Sequence, residues 1–192
     1  MDPRTCKFDG SAKHEIDKSP ELKSATTMTV PIIPIDPDPL RRLYGKRPRL
    51  DEFRLRSINI DLWGPSLKLR VDLAEFPEIP PEGWAATGYD VVQCHIRFSA
   101  VERLSLQEWT PPTRAHLSAA STDVPRMLDV SVRGAGVSLD FRCHESVGIG
   151  HISAFRVEPD GSDEVPHGFL GRVDTRLFAT VPRPHEKIFY AR

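Results

Sequence analysis

The sequence is poor in cysteine, in net charge and in long apolar runs, and each shortage excludes a class of protein. Cys6, Cys94 and Cys143 are the only cysteines. An odd number, with Cys6 in a polar stretch, argues against a secreted disulfide framework and for a reducing compartment. The 26 basic and 27 acidic residues nearly cancel. No net field draws the chain onto nucleic acid, and no acidic excess imitates a phosphate backbone. No run approaches the eighteen or so apolar residues of a membrane helix. The first thirty residues lack the basic start, apolar stretch and small-residue cleavage site of an export signal. The expectation is a soluble, cytoplasmic protein that recognises its partners locally, with neither nucleic acid nor membrane among them.

Catalytic signatures are scarce as well. In VRGAGVS two strands are joined directly and no helix follows, so the glycines make a hairpin turn and not a phosphate loop. Ser146 and Ser153 have histidines to combine with, but neither stands in a nucleophile elbow. Asp61 and Asp72 are carboxylates available across a hairpin, but on a solvated face they more often balance the many nearby arginines than perform acid-base work. Two Cys-His pairs, Cys94-His95 and Cys143-His144, with His151 nearby, are zinc-ligand types. Their spacing defeats them: adjacent residues of a strand point to opposite faces. Cys94 and Cys143 fall in the apolar phase and His95 and His144 in the other. No catalytic residue, cofactor or metal is expected.

What is present is alternation. Residues 1–27 are polar, with charges of both signs, and read as a disordered tail; Met28 offers an alternative start. Asp38 can cap a short helix with Pro39 in its first turn, Leu40, Leu43 and Tyr44 on one face and Gly45 at its stop. Period two then takes over. Ile58, Ile60 and Leu62 precede a Trp63-Gly64-Pro65 turn, and Leu67, Leu69, Val71 and Leu73 follow it. Prolines and glycine between Glu75 and Trp84 predict an irregular loop up to about Tyr89. DVVQCHIRFSA and VERLSLQEW read as abutting strands, MLDVSVRGAGVSLDFRC as a hairpin and HISAFRVEP as a further strand. The fold class expected is α+β, mainly antiparallel sheet with a short N-terminal helix, as a single domain over 28–161. An extension at 162–192, with Phe169, Val173, Leu177, Phe178, Ile188, Phe189 and Tyr190, packs on that domain or is partly disordered.

The polar phase of these strands carries Lys68, Arg70 and Asp72, then Gln93, His95 and Arg97, then Asp140, Arg142 and His144. Antiparallel sheets commonly leave one face to water. Arginine and aromatic residues are enriched where such a face meets another protein. The expected partner-binding set is therefore Trp63, Lys68, Arg70, Trp84, His95, Arg97, Arg142 and His144, with Tyr89 and Trp109 as further aromatics.

Read in order, PDPLRRLYGKRPRLDEFRLRSINID, WGPSLKLRVDLAEFPEIPPEGW, DVVQCHIRFSAVERLSLQEW and VSLDFRCHESVGIGHISAF resemble the Immunity protein 50 (Imm50) family of bacterial polymorphic toxin systems over about residues 37 to 157. The most specific points are Leu43-Tyr44-Gly45, the Gly64-Pro65 turn, Pro80-Pro81 with Trp84, Val92-Gln93 leading to Val101 and Trp109, and Ile152 to Phe155. The chain departs from the pattern in its long polar start and in Trp63. The resemblance implies a protein that binds and neutralises a cognate toxin domain stoichiometrically and without catalysis. Two other classes stay open. A small-molecule or regulatory binding module would show a deep apolar pocket. An unrecognised enzyme would show a cleft holding His95, His144 or His151 beside a carboxylate with a perturbed pKa.

Overall fold

The computed structural model describes residue 32, residues 38–61 and residues 63–180. The expectations for the tail at 1–27, for Met28 and Leu62, and for Ile188, Phe189 and Tyr190 lie outside these residues. Along the chain run α1 (Pro39–Tyr44), β1 (Glu52–Asp61), β2 (Ser66–Leu73), α2 (Glu82–Thr87), β3 (Val91–Ser99) and β4 (Glu102–Trp109). Then come β5 (Thr113–Ser121), β6 (Met127–Gly134), β7 (Val137–His144), β8 (Gly148–Phe155), β9 (Gly168–Phe169) and α3 (Arg172–Leu177). The described strands form one antiparallel sheet in the order β4-β7-β6-β5-β1-β2-β3-β8-β9. The fold is α+β and mainly sheet, as expected, with three short helices among the described residues instead of one.

α1 is set by local chemistry. The Asp38 carboxylate accepts from the N–H groups of Leu40 (3.1 Å) and Arg41 (3.2 Å), two of the four donors left unpaired at a helix start. α2 corrects the loop expected before Tyr89. Pro80 and Pro81 stand ahead of its first hydrogen-bonded turn, where a missing N–H costs nothing. Gly88, at φ +73°, then closes it, with the N–H groups of Gly88 and Tyr89 returning to the carbonyls of Ala85 and Trp84.

The apolar phase of the strands makes one continuous inner face. Leu67, Leu69 and Val71 on β2 oppose Phe98, Ile96 and Cys94 on β3, and all six are buried. Across the β6–β7 hairpin, Val130 and Val132 oppose Phe141 and Leu139, also buried. β1 and β5 pair only over Glu52–Leu55 and Thr113–His116, so the two halves of the sheet are offset. The sheet curls over on itself. Phe98 of β3 meets Phe141 of β7 edge to face with ring centroids 5.0 Å apart. Burying each such side chain contributes about 1.5–3 kcal/mol. Cys94 and Cys143 lie free within this core, and burial pushes both thiols up to about 12, so they stay protonated and behave as small hydrophobes.

Two connections differ from what the sequence order suggests. β3 and β4 abut but do not pair. Ala100 (φ +51°) and Arg103 (φ +52°) turn the chain, and β4 joins β7 at the opposite edge of the sheet. β5 was not anticipated; its inward residues are Ala115, Leu117 and Ala119.

Candidate functional site

The outer face of β1, β2, β3 and β8 is organised in rows of side chains, since residues opposite each other in a ladder share a face. One row runs Asp72, Gln93, Ser153; the next runs Ser57, Arg70, His95, Gly150; the third runs Asn59, Lys68, Arg97, Gly148. A β-bulge between Leu55 and Ser57 turns Arg56 onto this face beside Asp72. A second bulge, at His151 (φ +49°), does the same on β8, placing its ring edge-on to His95 with centroids 5.0 Å apart.

The first two rows are roofed. From Arg156 onward the chain crosses the face from β1 to β8 as a strap, adds β9 to the edge of β8 and ends in α3. Under it Arg56, Asp72, Gln93 and His95 are buried. This corrects the expectation that Asp72, Gln93 and His95 lie open to solvent: alternation decides which side a residue faces, and a distant segment covers that side. Most of the polar groups are paired, as burial demands; Gln93 Oε1 is buried without a hydrogen-bond partner among the described residues. Arg56 Nε donates to Asp72 Oδ2 (2.7 Å) and its Nη1 to the Gly161 carbonyl (2.6 Å). Gln93 Nε2 donates to Asp72 Oδ1 and Asp163 Oδ2, both at 2.8 Å. Arg70 Nη1 lies 2.9 Å from Asp163 Oδ2. Burial opposes ionisation of Asp163, but the Gln93 hydrogen bond and the charges of Arg70 and Arg56 outweigh it and hold the carboxyl below its ordinary value.

Beside this network His167 stacks on Phe155 with centroids 4.6 Å apart. Burial lowers its pKa, so the ring is neutral near pH 7. A carbonyl can only accept, so Nε2 donates to the Asp163 carbonyl (3.1 Å) and Nδ1 accepts from the Ser153 hydroxyl (2.8 Å). Ser153 and His167 thus come together, as a serine and a histidine must in a triad, but Ser153 is fully buried and the third partner is a backbone carbonyl.

The remaining expected residues divide into three groups. Trp84 is 4 % exposed; it belongs to the core and not to an open surface, which corrects its place in the binding set. Arg142 and His144 sit on the outer face of β7. Arg142 makes two hydrogen bonds to the Asp129 carboxylate (2.8 and 3.0 Å), and His144 Nδ1 accepts from the Ser146 N–H (3.1 Å). The third row stays open. Trp63, in the β1–β2 turn, is 97 % exposed. Lys68 opposes Arg97, and partial burial together with the Arg97 charge lowers its pKa.

A groove of about 590 Å3 lies where α1, the Ile79–Pro81 segment, β8 and the strap meet. Leu43, Ile149 and Ile152 line its floor, Ile79, Pro80 and Leu170 its rim, and Arg42, His151 and Asp174 are its charged or titratable groups. His151 Nδ1 stands 3.1 Å from Asp174 Oδ1. Nothing in the sequence pattern marked this groove, because its walls come from four separate segments. Among the described residues no three His, Cys, Asp or Glu side chains come together so as to hold a metal ion, and no helix is long and apolar enough to cross a membrane.

A family model described as Immunity protein 50 matches residues 36–154, a span that includes α1, β1 to β7 and nearly all of β8 and stops short of the strap. No curated protein and no solved structure matches the chain.

Proposed function

Because this chain belongs to the Immunity protein 50 family, we propose that it binds a cognate bacterial toxin domain and neutralises it by stoichiometric occlusion, without catalysis or cofactor. The observation that carries the proposal is Trp63, 97 % exposed at the tip of the β1–β2 hairpin, beside the uncovered Lys68–Arg97 row. A tryptophan left in water is a poor use of a large apolar ring in a free protein. As an interface anchor it contributes area at low entropic cost. Lys68 and Arg97 supply a local positive patch on a chain of net charge −1, which fits an acidic partner surface and steers its approach.

The proposal narrows the partner-binding set to Trp63, Lys68 and Arg97. Arg70 is committed to Asp163 and Arg142 to Asp129, so neither offers its charge without losing a partner. Action inside the producing cell is supported by Cys94 and Cys143, both free.

Co-expression with the toxin encoded beside its gene tests the reading. Protection of the cells is expected, and its loss in Trp63→Ala and in the double variant Lys68→Glu, Arg97→Glu. No protection by the wild type would overturn the function; protection undiminished in the variants would move the surface elsewhere. One observation favours a second reading, a small-molecule binding module: the groove is of ligand size and largely apolar. Saturable uptake of an apolar dye by the wild type, lost in Ile79→Asp, would support it.

A further inference from the structure

The groove holds residues from both faces of one strand. Ile149 and Ile152 belong to the inner face of β8, opposite Ile96 and beside Ala154, whereas His151 reaches the outer face against His95. A cavity lined from both faces of a strand lies along that strand's edge. β9 covers this edge only at Ser153 and Ala154, with one more bond from the Leu170 N–H to the Ile152 carbonyl. The chain then turns away at Gly171 into α3. Along 148–151 the edge of β8 has no strand partner among the described residues. Unpaired edges of this kind accept an added strand, main chain to main chain, while flanking pockets read its side chains.

We propose that this edge, with its groove, receives an extended segment of the toxin, which adds as a strand to β8, seats a large apolar side chain between Leu43, Ile79 and Leu170, and presents a carboxylate to Arg42. This rests on the immunity reading above and names the part of the partner that is held. Charge complementarity selects an acidic segment. Arg42 is exposed and has no ion-pair partner among the described residues, and the third outer row leads Lys68 and Arg97 directly to Gly148 at the end of the same edge. The one carboxylate lining the groove, Asp174, is already engaged by His151. Shape supports the same occupant. Ile79 is 87 % exposed on the rim, and a Cβ placed on Gly150 meets no atom within 4 Å, so the outer face beside the edge is open there.

The test uses the full chain and the catalytically inactivated toxin domain encoded beside its gene. Arg42→Glu, Ile79→Asp and Gly150→Val alter exposed or open positions, and unchanged melting temperatures would show that each variant folds. Each is expected to weaken binding by calorimetry about tenfold or more, the scale of an interface anchor. Those backbone amides of 149–151 that point away from β3, toward the open edge, are expected to exchange rapidly in the free protein and to become protected in the complex. Wild-type affinity in all three variants, or amides already protected in the free protein by another occupant, would overturn the groove while leaving the immunity reading intact. Failure of the wild type to bind that toxin would overturn both.

Discussion

Phe98 and Phe141 touch edge to face across 5.0 Å although they stand on β3 and β7, strands separated by four others in the sheet. The contact closes the curl. β1 and β5 share only four paired positions on each side, so apolar contact across the fold, and not the ladder alone, keeps the halves together. Phe98→Ala is expected to cost about 3–5 kcal/mol in urea unfolding. A double-mutant cycle with Phe141→Ala should return a coupling of about 0.5–1.5 kcal/mol. Additive losses would show that the pair contributes only through its separate burial.

The Arg56–Asp72 pair is buried on both sides, with the guanidinium 2.6–2.7 Å from the carboxylate. Removing one member strands a charge, so Asp72→Asn or Arg56→Met should each lower stability by about 3–5 kcal/mol. Removing both together should cost less than the sum. The exposed Arg126–Glu145 pair is a contrast of equal length; breaking it should change stability by less than about 1 kcal/mol. Chemical denaturation of the four variants distinguishes the cases.

The strap is expected to loosen on mild acidification. The pKa of His167 is lowered in the folded chain below its ordinary value near 6.5, chiefly by burial. The unfolded chain therefore binds the proton more readily, and stability rises with pH across the interval. The contribution is complete above about pH 6.5 and is lost as pH falls toward the lowered folded value. Asp163 changes nothing in that window, because its own pKa is depressed below the carboxylate range and its contribution fades only at stronger acidity. Protection factors of the amides over 162–178, which correct for the intrinsic slowing of exchange in acid, should fall between pH 7.5 and 5.5. The fall should be smaller in His167→Gln; an equal fall would overturn the role assigned to His167.

Trp63→Ala should leave the melting temperature almost unchanged, within about 0.5 kcal/mol of stability, because the ring touches little of its own chain. Its effect should appear only in toxin binding and protection. A marked loss of stability would mean that the ring has a structural role instead.

Local signals were the legible ones. The Asp38 cap, Pro39 and Gly45 act within one turn, and the β1–β2 and β6–β7 hairpins join strands whose alternation is strong and whose connections are short. β5 escaped notice because Ala115 and Ala119 carry little hydrophobic contrast against their polar neighbours. α2 was hidden by Pro80 and Pro81, which forbid a strand but suit the start of a helix. For the binding face, alternation correctly separated Cys94 from His95, yet the cover over this face comes from a strap more than sixty residues further along the chain, where Asp163 meets Gln93 and Arg70. The groove was beyond reach for the same reason: no local pattern encodes the meeting of α1, β8 and α3.

The strap lies beyond the family-matched span, which stops at 154, yet its Asp163 balances two arginines inside that span. Arg56, Arg70 and Asp163 are consequently expected to be inherited together. A relative that loses the strap is expected to have replaced the two arginines by uncharged residues, and one that keeps them to carry an acid in a roofing segment. A fusion that cuts this chain at the family boundary would leave Arg70 without its carboxylate and uncover the buried Gln93 and Ser153, and should be less stable than the full chain.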